Sequence, residues 1–335
     1  MAPMTRSKSP GGIPGEDVAA YYRRRAEGGT GLIITEGTFI PHAQAGVDPA
    51  VPRFHGEEAL AGWKQVADEV HAARGRIFPQ LWHIGSFVPN GLSPSGWHKP
   101  GERNGDPATV EENQAAVEAF GIAAESARKL GFDGVELHAA HGYLIDQFFW
   151  DGTNQRTDLY GGSLTARTHF AVEVIREVRR RVGPAFPVVL RFSQWKLQDF
   201  EARLAKTPQE LETFLEPLAD AGVDIFHCST RRFWEPEFEG SALNLAGWTK
   251  KLTGKPTITV GSVTLSVDVM TTFENATVAQ PTGLEELLSR LSNGEFDLVA
   301  IGRSLIANPD WARVVGEGRA AQLNSFDRGV LATLA

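Results

Sequence analysis

Short apolar runs rich in Val, Ile and Phe recur along the chain, at 31–37 (GLIITEG), 76–83 (RIFPQLWH), 134–138 (GVELH), 187–193 (PVVLRFS), 224–230 (DIFHCST), 256–262 (PTITVGS) and 297–303 (DLVAIGR). Each closes on small or polar residues. Between successive runs, apolar positions fall three and four apart, the period of a helix with one buried face. Helices are predicted over about 15–28, 57–74, 109–130, 163–182, 207–221, 283–293 and 309–318. Alternation of strand and helix requires parallel strands joined by right-handed crossovers, in a sheet either open and doubly wound or closed into a barrel. Seven strands are legible beyond residue 30, and closure would take an eighth. The remaining sequence for it is 1–4, MAPM, too short for a whole strand.

Local chemistry supports the helix over 109–130: Thr109 offers an N-cap oxygen, Glu112 stands at the capping-box position, and Gly131 suits the closing turn. No Pro-, Gly- or Ser-rich linker divides the chain and no fixed-period repeat is present, so residues 1–335 are expected to form one domain. Two stretches are irregular. Residues 84–108 are too long for a simple connection and are expected to cover a site. Residues 231–249 carry Phe233, Trp234, Phe238 and Trp248, which could wall an apolar pocket or simply pack.

Composition narrows the function. A formal net charge of −8 opposes binding to nucleic acid or an anionic membrane, both of which need clustered Lys and Arg. The main basic run, YYRRRAEGG, reads as the solvated face and C-terminal half of a helix. The single cysteine, Cys228, excludes an intrachain disulfide framework, a cysteine-rich zinc site and a four-cysteine iron–sulfur cluster, and suits a reducing cytoplasm. Burial as an inert thiol is its expected state. There is no spanning apolar run and no long apolar segment of a secretory signal in MAPMTRSKSPGG, so a cytoplasmic location is expected.

The stretch GVELHAAHGYL gathers His138, His141 and Tyr143 at the end of a strand. In extended chain, His138 and His141 point to opposite faces. They converge if the chain turns helically after 138, which would put them at the carboxyl end of the strand, where barrel active sites are built. Three readings follow. A metal at His138 and His141, as in a hydrolase, lacks an evident third ligand. The histidines could be satisfied structural groups. Alternatively, two imidazole donors hold a ligand oxygen while Tyr143 delivers a proton.

Taken in order, MAPMTR, PQLWHIG, GVELHAAHGYLIDQFFWDGTNQRTDLYGGSLTAR, PVVLRFS and AIGRSLIANPDW resemble the Old Yellow Enzyme family of flavin-dependent ene-reductases over essentially the whole chain. The resemblance implies an α/β fold, a (β/α)8 TIM barrel with FMN at its mouth. It assigns the flavin phosphate to Gly261, Ser262 and Val263 together with Gly302 and Arg303, where glycines let amides approach an anion and a guanidinium clamps it. It places Arg191 beside the N1/O2 edge, Gln80 at the pyrimidine edge, Pro3, Met4 and Thr5 along the ring with Thr5 toward O4, and the backbone of Gly37 against the ring edge. By the same resemblance Trp82 is expected to shape the substrate pocket, His138 and His141 to bind the substrate oxygen, and Tyr143 to be the proton donor. The implied reaction takes hydride from NADPH or NADH, through FMN, to the β-carbon of a small-molecule activated alkene, with protonation at the α-carbon. The enzyme is expected to be a monomer or homodimer.

The chain departs from the family pattern at its start. Family members carry a segment before MAPMTR that includes the beginning of the first barrel strand, so the first strand is expected to be truncated and Thr5 poorly anchored. A flavin-binding or inactive family member is the alternative reading. Thr5 also stands near where one branch of the family has a cysteine.

Overall fold

The structure is a computed structural model describing residues 1–335, apart from the side chains of Met270 and Phe273. Seven parallel strands pair in chain order: Leu32–Phe39, Arg76–Trp82, Val135–His141, Val188–Lys196, Ile225–Ser229, Thr257–Val260 and Leu298–Val299. Helices lie between them, as the periodicity predicts, among them Glu16–Glu27, Glu57–Ala72, Val110–Leu130, Pro208–Ala221 and Glu285–Ser292.

The gap between first and last strands is bridged by two residues. Met1 donates its amine to Leu32 O (2.6 Å) and accepts from Ile34 N (3.1 Å), while the Ala2 amide donates to Ile301 O (2.9 Å). This rung supplies partners to both edges and gives the sheet the curl of a (β/α)8 barrel. Its continuation is tied down as well, because the amides of Arg6 and Ser7 donate to Glu36 Oε2 at 2.8 and 3.2 Å. Thr5 is therefore anchored from both sides, contrary to the expectation of a loose terminus.

Strand alternation sorts the side chains into shells. Ile34, Phe78, Val189 and Ile258 pack together with Ala2 and Ala300 in a small apolar cluster. Two residues further along their strands, Gln80 and Arg191 take the same face in a polar layer. There Gln80 Nε2 donates to Glu136 Oε1 (2.8 Å) and His227 Nδ1 lies 2.6 Å from Glu136 Oε2. The opposite parity, including Val135, Leu137, Leu190, Phe226 and the buried thiol of Cys228, joins the large core under the helices.

Several local expectations hold and several change. The Thr109 capping box is complete, and Gly131 closes that helix at φ +86°. The helix expected over 163–182 is two, Leu164–Arg167 and His169–Val182. Residues 231–249 are not wholly irregular: Asn244 accepts from Gly247 N and starts a helix at Leu245–Thr253. The basic run is not all solvated. Arg25 is completely buried, its guanidinium 3.6 Å over the Tyr21 ring and bonded to the carbonyls of Tyr21 and Ile306.

Candidate active site

At the carboxyl ends of the strands a cavity of about 350 Å³ opens, in the range typical of small-molecule pockets. Its wall includes Pro3, Met4 and Thr5 from the N-terminal rung, Gln80 and Trp82 from the second strand, His138, His141 and Tyr143 from the third, and Arg191 from the fourth. Gly261, Ser262 and Val263 follow the sixth strand, and Gly302 and Arg303 the seventh. Gly37 is the one predicted residue outside this wall. A Cβ there would stand 2.4 Å from Trp82 Cε3, so its bare backbone lets the indole lie flat against the strand.

The histidines converge, but not through a helical turn. The strand runs on to His141, which takes φ +65°, and Gly142 follows at φ +81°. The ladder slips between Ala139 and His141, whose partners are Phe192 and Lys196. The extra residues of this slip lie on the neighbouring strand, and it is the left-handed backbone at His141 that redirects its ring, which stands within 5.2 Å of that of His138, nearly perpendicular. Tyr143 stands edge-on to His138 at 4.9 Å. Trp82 packs against His138 and Tyr143 on one side, and Trp195 stacks on His141 at 4.5 Å on the other.

Burial governs the electrostatics here. It holds both imidazoles well below the usual histidine range, with Arg191 adding to the effect, so both rings are neutral at pH 7. Burial also pushes the Tyr143 phenol up to about 12, keeping its proton in place. His138 Nδ1 accepts from Ala140 N at 3.4 Å, which puts the ring proton on Nε2. Arg191 Nη2 donates to Ser229 Oγ (3.3 Å), which lies 2.8 Å from His141 Nε2. The Arg191 Nε is buried without a partner among the described residues.

On the far side, Gly261 at φ +151° leaves no room for a side chain, since a Cβ would meet Thr230 Oγ1 at 2.5 Å, and a Cβ at Gly302 would press on Met4 Sδ at 3.0 Å. Arg303 spans the cradle, donating to Ser262 Oγ, Thr272 Oγ1 and the carbonyls of Val267 and Asp268. Among the described residues, no three His, Cys, Asp or Glu side chains are grouped to hold a metal ion, and no helix is long and apolar enough to cross a membrane.

Residues 1–322 match the model of the NADH:flavin oxidoreductase / NADH oxidase family. The chain belongs to the Old Yellow Enzyme family. It is 34% identical over 341 residues to 12-oxophytodienoate reductase 7 of Oryza sativa subsp. japonica, covering 92% of this chain and 82% of the relative. It is 33% identical to the NADH oxidase of Thermoanaerobacter brockii over 95% of its own length, spanning 48% of that longer protein. Among solved structures, the Old Yellow Enzyme homologue from Zymomonas mobilis superposes with a TM-score of 0.81 at 27% identity, over 99% of this chain and 91% of that one. Morphinone reductase in complex with tetrahydroNAD does so at 0.81 and 29%, over 99% and 89%. The chain is thus an oxidoreductase of the flavin-dependent kind, with FMN and a reduced nicotinamide as its cofactors.

The cavity fits FMN on its own chemistry. FMN has a ring with hydrogen-bonding edges and an anionic phosphate; Arg191, whose Nε has no partner among the described residues, the Gln80 amide and the close-packed Gly261 turn are chemically suited to them.

Sequence reasoning missed Trp195, Ser229 and Arg231, which also line the wall. Ser229 was within reach: it is two residues after His227 on one strand and shares its parity. The irregular segments contribute differently from expectation. None of residues 84–108 lines the cavity, although Phe87 backs Tyr143 at 5.0 Å. Phe233, Trp234, Phe238 and Trp248 pack in pairs away from it.

Proposed function

We propose that this protein is an ene-reductase acting on activated alkenes, meaning α,β-unsaturated carbonyl compounds or nitroalkenes, with NADPH or NADH as reductant. Bound FMN supplies the hydride relay between the nicotinamide and the electron-poor alkene. The protein's part is to hold the alkene's activating oxygen and to deliver a proton. One observation carries the reading: two neutral imidazoles and an un-ionised phenol converge on one wall of the cavity.

His138 presents Nε2–H. With Arg191 donating to Ser229 Oγ, the serine proton is free to bond His141 Nε2, which keeps the proton of His141 on Nδ1. Two neutral N–H donors then share the substrate oxygen, drawing charge from the conjugated system toward it and leaving the β-carbon electrophilic. Neutral donors suit this task, since they polarise the oxygen without protonating it. Tyr143, edge-on to His138, protonates the α-carbon. Arg191 brings a fixed positive charge to the flavin edge, and Gly261, Ser262, Val263, Gly302 and Arg303 hold the phosphate end. Two similar enzymes, named as reductases of 12-oxophytodienoate and of morphinone, act on oxo compounds by name, and a tetrahydroNAD complex exists for the second. Both points support an oxygen-anchored alkene and a nicotinamide docked over the same flavin.

Purified protein should be yellow, bleach under nitrogen on addition of NADPH or NADH, and regain its colour on addition of cyclohexenone. A colourless protein with zinc-dependent hydrolase activity would refute the proposal.

A further inference from the structure

We infer that Asp146 and Lys196, an ion pair sealed behind the active-site wall, are positioning residues that hold the His141–Gly142 turn and thereby aim His141 and Tyr143 at the bound ligand. The inference rests on the proposed role of His141 in binding a ligand oxygen.

Both side chains are wholly excluded from solvent, and Lys196 Nζ lies 2.6 Å from Asp146 Oδ1. Two charges in a protein interior are a poor source of stability, because the desolvation they suffer offsets their attraction. Burial raises the Asp146 carboxyl and lowers the Lys196 ammonium accordingly. What the pair does supply is geometry. Asp146 opens onto the turn from the short helix Leu144–Phe149, and its second oxygen, Oδ2, accepts the Gly142 amide at 2.7 Å. Lys196 ends the neighbouring strand opposite His141, and its Nζ also donates to Ser193 O at 3.1 Å. Ser193 Oγ in turn accepts the His141 amide at 2.9 Å.

The turn needs such support. His141 and Gly142 are consecutive left-handed residues, a conformation that an imidazole-bearing residue adopts at a cost. Every backbone polar group of the two residues is engaged: the remaining carbonyls accept from Leu197 N (His141 O, 3.2 Å) and from Gln147 Nε2 and Gln198 Nε2 (Gly142 O, 2.7 and 3.1 Å). Asp146 is the junction at which strand end, turn and helix start meet. Tyr143 is the residue just before that helix, and its ring direction follows from where the helix begins.

The test uses the FMN-loaded protein and 4-hydroxybenzaldehyde as the oxygen-bearing ligand, titrated by its long-wavelength absorbance with flavin. An asparagine at 146 cannot accept from both the Gly142 amide and the Lys196 ammonium, so Asp146→Asn should raise the ligand Kd about tenfold or more. The variant Asp146→Leu/Lys196→Met buries no charge. It should melt close to the wild type and retain FMN, yet show the same rise in Kd, since nothing accepts from Gly142. In a His141→Ala background, adding Asp146→Asn should change Kd less than twofold, because the oxygen-holding donor it aims is already gone and Tyr143 is read by proton delivery, not by this Kd. A Kd within twofold of wild type in Asp146→Leu/Lys196→Met, or full additivity with His141→Ala, would overturn the inference. If His141→Ala alone leaves Kd unchanged, the failure lies in the role proposed for His141.

Discussion

Gly37 tests how tightly the pocket wall is built. A Cβ at this position would approach Trp82 Cε3 to 2.4 Å and Cδ2 to 2.8 Å, where ordinary contact begins near 3.4 Å. In Gly37→Ala the indole must therefore retreat by about 1 Å, the difference between those separations. It has little freedom to do so. Phe39 stacks on one side with ring centroids 5.4 Å apart, and His138 and Tyr143 stand on the other at 6.0 and 4.9 Å. Overpacking of this kind costs about 1–3 kcal/mol. The displaced indole would also press on His138, so ligand binding should weaken along with stability. Chemical denaturation of the FMN-loaded protein reads the first effect, and 4-hydroxybenzaldehyde titration the second. Trp82→Phe removes part of the clashing ring. Gly37→Ala/Trp82→Phe should therefore lose less than the two single losses combined, by about 1 kcal/mol or more, as directly contacting sites do. Wild-type stability and affinity in Gly37→Ala, or strict additivity in the double variant, would refute the reasoning.

Two further outcomes follow from the buried groups. Glu36, almost wholly buried, is pushed up to about 7 by desolvation against an ordinary value of 4.5. Its charged form is thus disfavoured in the fold: stability is full below about 4.5 and falls as pH rises through about 7, by roughly 3 kcal/mol at 1.36 kcal/mol per unit. Glu36→Gln, whose amide oxygen can still accept from Arg6 and Ser7, should flatten that fall in urea unfolding at pH 5 and pH 8; an unchanged slope would show that Glu36 is not its source. Tyr143→Phe should slow reoxidation by cyclohexenone about a hundredfold, in the range of general-acid effects, while reduction by nicotinamide stays within about threefold in stopped-flow measurements. Equal slowing of both half-reactions would count against the phenol as proton donor.

Strand parity made much of this site legible. Arg191, His138 and Gln80 stand out because polar side chains in apolar strands need a buried purpose, and the quoted motifs fixed their order. Lys196 gave no such signal, because the apolar run ends at 193 and only the structure carries the strand on to it; its partner Asp146 lies 50 residues away and only the fold brings them together. The route by which His138 and His141 converge was not legible. A left-handed histidine beside a slip in the ladder depends on Ser193, Asp146 and Leu197 around it, none adjacent in sequence. Closure of the barrel was legible only in outline: MAPM is too short for a whole strand, and that two of its residues bridge the edges depends on where Leu32, Ile34 and Ile301 stand in the fold. The aromatic residues of 231–249 carried no directional signal: Phe233 pairs with its neighbour Trp234, and Phe238 with Trp248 of the following helix, away from the cavity.

The central claim is that His138 and His141 act together on one ligand oxygen above the flavin, and titration of His138→Ala and His141→Ala with 4-hydroxybenzaldehyde tests it most directly. Each variant should keep its FMN and lose about 1.5–3 kcal/mol of ligand binding, the worth of a hydrogen bond to a charged oxygen, or roughly tenfold to more than a hundredfold in Kd. The long-wavelength band should fade with it. Wild-type affinity and an undiminished band in both variants would contradict the account.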